Sequence, residues 1–128
     1  LTKFLTVEQV IALSAMACGG QRPEIRDWGL LDSAVHRPQA SLFGEDAYPD
    51  LFSKAAALLH SLAANHPFVD GNKRVAWHST AVFCRDNGAP LYPNEDDAYK
   101  LMIDIATGAL EDVDAIADQL AAFAGKQR

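Results

Sequence analysis

The stretch from Leu51 to Asn65 is rich in alanine and leucine and holds neither glycine nor proline, and no other feature constrains the fold as strongly. Ala and Leu lose little side-chain freedom in an α-helix, so the run reads as one strong helix. It stops at His66-Pro67, because proline has no N–H with which to continue the ladder. A polar turn follows, Asp70-Gly71-Asn72. A second helix is then expected from about Lys73 to Asn87, halted by Gly88 and Pro90.

Shorter helices flank this pair. Thr6, with Gln9 behind it, forms a capping box for a first helix. Val7, Val10, Ile11, Leu13 and Ala17 repeat at helical spacing until Gly19-Gly20 ends the run. A second helix is expected over Leu30 to His36, before Pro38. From Gln39 to Asp50 the pattern breaks into a loop or small hairpin flap. Two more helices follow, one over roughly Glu95 to Thr107 and one from an Asp112 cap to just before Gly125. No strand of convincing length, internal repeat or low-complexity linker is visible. The expected class is all-α, and 128 residues suit one domain.

With 49% apolar residues the chain can build a real core. No apolar run approaches the ~20 residues of a membrane span. The opening LTKFLTVEQ lacks the pattern of a signal peptide, so a cytoplasmic location is expected. A net charge of −6 argues against sequence-independent nucleic-acid binding, which needs a basic face. Lys73 and Arg74 nonetheless concentrate positive charge beside Gly71-Asn72, which suits a small anionic ligand. Cys18 and Cys84 lie far apart in apolar helical surroundings and read as two reduced, buried thiols.

The segment His66 to Arg74, HPFVDGNKR, holds most of the chemistry. The first amides of the helix that follows have no internal acceptors and carry the positive end of its dipole. Gly71 permits positive φ and close approach of a ligand, while Lys73 and Arg74 add cations, Arg with a two-pronged grip. These are the parts of a phosphate cradle. Asp70 beside it would repel phosphate unless a divalent cation intervened, and Mg²⁺ suits one carboxylate plus substrate phosphates. His66 can accept a proton from a hydroxyl near neutral pH. Phe68 and Val69 read as an apolar plug that pins the loop. Without a ligand, Pro67, Asp70, Gly71 and Asn72 would equally serve as plain turn formers, and His66 as a helix-terminal residue. The Walker pattern is absent, and the spacing of His60 and His66 matches no common zinc site.

HPFVDGNKR resembles the Fic motif, HPFx[D/E]GN[G/K]R, at every constrained position. Beyond it, Arg26 to Ala34, Arg37-Pro38-Gln39, Lys54 to His60 and Ala106-Thr107-Gly108 resemble the Doc (death-on-curing) branch of the Fic/Doc family. The resemblance covers nearly the whole chain. It implies a compact six-helix Fic/Doc-type bundle with a short flap before the central helix. His66 would be the general base, Asp70 the Mg²⁺ ligand and Phe68 the loop anchor. Gly71, Asn72, Lys73 and Arg74 would form the cradle, with His66, Lys73 and Arg74 at the chemistry. The segment from Ser41 to Tyr48, led by Ser41, Leu42, Phe43 and Gly44, would be the flap that aligns a target by strand-like pairing.

Adenylyl-transferring Fic enzymes have a second glycine where this chain has Lys73 and a second arginine where it has Trp77. Both departures resemble Doc, in which ATP lies inverted and its γ-phosphate meets the hydroxyl. The implied reaction is phosphorylation, with the translation factor EF-Tu as the family's target. Gly71 runs the other way, because Doc-type motifs can carry alanine there. AMP transfer is therefore the alternative, and a catalytically silent module that binds a partner through flap and groove is a third reading. His78, one turn beyond Arg74 on the same face, can border the nucleotide, although a core or surface role is the commoner fate of such a histidine. The inhibitory pattern [ST]xxxE[GN] is met only incompletely at Thr107 to Glu111. Restraint would then come from a separate antitoxin of the Phd kind.

Overall fold

Thr6 accepts the Gln9 amide while the Gln9 side chain accepts the Thr6 amide, and this box starts α1, Val7–Ala17. Asp27 accepts the Leu30 amide at 3.0 Å, so α2 begins at Trp28 rather than Leu30 and runs to His36. A single 3₁₀ turn, Arg37–Gln39, leads into two short strands, β1 (Ser41–Leu42) and β2 (Glu45–Asp46). Then come α3 (Leu51–Ala64), α4 (Asn72–Asp86), α5 (Glu95–Ala106) and α6 (Val113–Phe123). The structure, a computed structural model, describes residues 1–128. It is all-α apart from that ribbon, as expected.

α3 is the central helix. It packs most extensively on α4 and α6 and also meets α2 and α5. Every residue from Phe52 to Leu59 is buried. Only a helix surrounded by others can be buried all round, and the alanines at 55, 56, 57 and 63 let those neighbours approach closely. α1 is more peripheral than its apolar spacing suggested: it fully buries only Val10 and Ser14, while Val7, Ile11 and Leu13 are half-buried. Phe4, just before α1, stacks on Phe83 of α4 with ring centroids 6.1 Å apart. Both cysteines are free. Cys84 is buried, and that burial pushes its thiol pKa up to about 12. Cys18 is only half-buried, because α1 ends there at the molecule's edge. No helix is long and apolar enough to cross a membrane.

The expected flap between Gln39 and Asp50 is a hairpin, with Ser41 opposite Asp46 and Leu42 opposite Glu45. Its turn, Phe43-Gly44, has φ of 52° and 79°, the paired left-handed conformation that matches the twist of a two-residue hairpin. The hairpin is exposed, but its base is fastened to α3. Lys54, a buried lysine, donates to Asp46 at 3.2 Å and to the Tyr48 carbonyl. Arg37 donates to the Tyr48 hydroxyl, to Ser61 Oγ and to His60 Nδ1, at 2.8, 2.8 and 2.9 Å. Its guanidinium also lies 5.3 Å from the centroid of the Tyr48 ring.

Burial, reinforced by the Arg37 charge and opposed by Glu111, lowers the His60 pKa below its ordinary value. The unfolded chain therefore takes up this proton first as pH falls. The contribution is full above about 6.5 and is lost as pH drops through that value. Thermal unfolding followed from pH 7.5 to 5 is expected to show a fall in Tm that His60→Gln flattens; an equal slope in both proteins would remove His60 from the account.

Candidate active site

The site is assembled where α3 hands over to α4. α3 ends at Ala64, with Asn65 as its C-cap, and His66 then takes a left-handed conformation, φ 50°. For a residue with a side chain that conformation costs roughly 1–2 kcal/mol, so surrounding contacts must hold it. They come from the connection between α1 and α2. Arg26 and Asp27 both donate their amides to the Pro67 carbonyl, at 2.8 and 3.1 Å, and the Val69 amide donates to Glu24 at 2.9 Å. Ile25 and Phe68 thereby pair as an antiparallel bridge.

Neighbouring side chains of an extended segment point in opposite directions, and this corrects one expectation. Phe68 points inward and is 1% exposed, the expected anchor, whereas Val69 is 59% exposed and lines the cavity rather than the plug. Asn72 lines the same cavity and also bonds within the loop. Its side-chain oxygen accepts the Phe68 amide and its nitrogen donates to the Phe68 carbonyl, both at 2.9 Å. The carboxamide is therefore held by the loop with one Nδ2–H left over, and the Asn72 main-chain N–H at the start of α4 is free as well.

Gly71, φ 80°, is the N-cap of α4 and provides no side chain to cap it. The other five α-helices are each capped by a side chain, from Thr6, Asp27, Asp50, Asn94 and Asp112. α4 alone leaves its leading amides to an outside acceptor. His66 and every residue from Val69 to Arg74 line one cavity of about 340 Å³ over that helix end. Lys73 and Arg74 are exposed and form no ion pair with the protein. Asp70 accepts the Gly71 amide at 2.8 Å. No group of three or more His, Cys, Asp or Glu residues gathers here or elsewhere as a metal cage. A lone carboxylate fits an ion that is held jointly with a ligand's phosphates and not by protein alone.

The expected base, metal ligand and cradle residues are thus brought together. His78 is not in that cavity. It is exposed and borders a mainly apolar groove of about 390 Å³ that starts at Lys73 and Arg74 and runs between α4 and α5 past Trp77, Tyr99 and Met102. Trp77 is half-buried, with its ring edge-on to Phe123. Flap residues Ser41, Leu42, Phe43 and Gly44 are exposed and stand outside the cavity's lining. Glu111 lies toward His60, whose pKa it raises, and does not line the cradle.

Residues that sequence reasoning passed over also hold the site. Arg26 has no chemical signal of its own in the sequence, yet its side chain reaches the loop. Cys18 was read as bulk core, yet its sulfur occupies the space where a Cβ on residue 71 would sit, 2.8 Å away. No sequence pattern links positions so far apart. Gly71 is thus required twice, by its φ and by Cys18. Gly71→Ala is expected to destabilise the fold by about 1–3 kcal/mol in urea unfolding. Cys18→Ala in the same chain should restore part of that loss, and strictly additive effects would dissolve the coupling.

The sequence has known relatives. A sequence model described as the Fic/DOC family matches residues 4–84, which contain the whole loop and its α1–α2 brace. The chain is 49% identical to Toxin Doc of Mycolicibacterium smegmatis over 126 residues, spanning 97% of this chain and 95% of that protein. It is 32% identical to Protein kinase doc of Escherichia phage P1 over 120 residues, spanning 92% and 93% respectively. With the motif, the helical bundle and these full-length relatives in agreement, the chain belongs to the Fic/DOC family.

Proposed function

We propose that this protein is a Doc-type toxin that transfers the γ-phosphate of ATP to a hydroxyl of a target protein, with EF-Tu as the target and arrest of translation as the result. The observation that carries the reading is the uncapped N-terminus of α4, which shares one cavity with His66, Asp70, Lys73 and Arg74. Free amides, the helix dipole and two unpaired cations suit a polyphosphate, and a histidine on the same wall suits proton removal. The names borne by the two relatives, a toxin and a protein kinase, support toxicity and phosphate transfer in turn.

In this mechanism His66 accepts the proton as the target's hydroxyl oxygen bonds to the γ-phosphorus. The bond from that phosphorus to the β,γ-bridging oxygen breaks, and ADP departs with the electron pair. Arg74, Lys73 and the amides of residues 72–74 hold the transferring group, whose charge spreads over its equatorial oxygens. Asp70 would hold Mg²⁺, which when bound offsets phosphate charge. Phe68 and Asn72 keep the loop from shifting during the transfer. The exposed flap is free to pair with an extended target segment, and the apolar groove beyond Lys73 and Arg74 has room for the nucleoside. Regulation falls to a Phd-like antitoxin whose disordered tail folds on the toxin, and the setting is the cytoplasm.

AMP transfer drew its support from Gly71, but φ 80° and the Cys18 sulfur account for that glycine without reference to the nucleotide. Lys73 and Trp77 favour γ transfer. Purified protein incubated with EF-Tu and ATP labelled separately at the α and γ positions is expected to pass only γ label. His66→Ala should lower that transfer by at least about 100-fold. Label from the α position on the target would contradict the proposal.

A further inference from the structure

The carbonyls of Asn65, His66 and Pro67 are consecutive, and all three are taken up by Arg26 or Asp27. Arg26 Nε donates to the His66 carbonyl at 2.7 Å, and its Nη2 donates to the Asn65 carbonyl at 3.0 Å. The Arg26 and Asp27 amides share the Pro67 carbonyl. We infer that Arg26 is a positioning residue: its guanidinium fork fixes the strained backbone of residue 66 so that the His66 imidazole faces the cradle. This rests on the reading of His66 as the proton acceptor.

Three features lead to it. First, α3 has no basic residue in its last turn, so the negative end of its dipole and its outward carbonyls lack a partner from their own helix. Arg26 supplies the missing cation from the α1–α2 connection. Second, His66 has a positive φ that nothing in its own side chain stabilises, and the direction of its Cα–Cβ bond follows the peptide planes on either side. A planar guanidinium with two fixed donors holds two successive carbonyls at a set angle, which a single flexible donor cannot do. Third, Asp27 both takes part in the brace and caps α2, so the brace is anchored to a helix rather than to a free loop. Arg26 does not line the cavity and therefore acts through His66.

A plain helix cap and a positioning residue differ in what their removal does to His66. Protein labelled at histidine ¹³Cε1 has four histidines, and the His66 line is identified by its loss in His66→Gln. In Arg26→Gln the His66 line is expected to shift and broaden while those of His36, His60 and His78 stay in place. Phosphate transfer, or growth arrest on induction, should fall about 10- to 100-fold, the scale of an ångström-sized misplacement. Arg26→Lys keeps the charge without the fork, so the His66 line should move in the same direction by less and activity should be partly restored. A wild-type His66 line in Arg26→Gln, or in Arg26→Lys should the first variant fail to fold, overturns the inference. The resonance needs no substrate: if His66→Ala leaves growth arrest intact, the proton-acceptor reading fails, while the line still reports whether Arg26 sets the loop.

Discussion

A hydrogen-bonded ring closes the turn between the two central helices: the Asn72 carboxamide takes both the N–H and the carbonyl of Phe68. With Phe68 sunk in the core, that ring fixes the loop and the start of α4 as one unit. Its consequence for chemistry is indirect. The Asn72 side chain faces backward into the loop, Asp70 accepts only the Gly71 amide, and the N-cap itself is a glycine. The helix therefore begins with its donors unspent. In the other five α-helices a Thr, Asp or Asn side chain removes that opportunity. Asn72 and Gly71 together leave the first amides of α4 open to an outside acceptor.

The remainder of the fold supports this unit from both sides. α3, buried along most of its length, delivers His66 at one lip, and the α1–α2 connection braces the residues that follow. On the far side α3 holds the flap through Lys54 and, by way of Ser61 and His60, through Arg37. Arg128 ties the beginning of α3 to α6: it bonds Asp50, Asp114 and Asp118 at about 3 Å. Burial would raise the Asp50 pKa, but its bonds to Arg128 and Ser53 outweigh that and hold it below the usual carboxylate range. One helix thus sets both the chemical loop and the base of the hairpin.

Much of this was legible in the sequence because it is local. The breaker-free run at Leu51, the capping box at Thr6 and Asp112 before α6 each act within a few residues, and the helices fall where those signals put them. That these residues meet in one cavity was legible for the same reason, since helix start, glycine and cations are contiguous. What escaped depends on contacts distant in sequence. The outward turn of Val69 follows from the pairing of Phe68 with Ile25, and the need for Gly71 follows in part from Cys18. The role of Asn72 lay within reach, but its amide could have faced ligand or loop equally well, and only the packed turn decides. α2 began early because Asp27 is as good a cap as any later residue, and the helical repeat alone did not mark it.

In the proposed mechanism the free end of α4 receives a nucleotide's terminal phosphate, with His66 beside it. A crystal structure of the protein with Mg²⁺ and a non-hydrolysable ATP analogue tests that claim most directly. The γ-phosphate is expected within hydrogen-bond distance of the amides of residues 72–74 and of Arg74, with Asp70 on the metal. An α-phosphate in that place, or a nucleotide bound elsewhere with the α4 terminus empty, would contradict it.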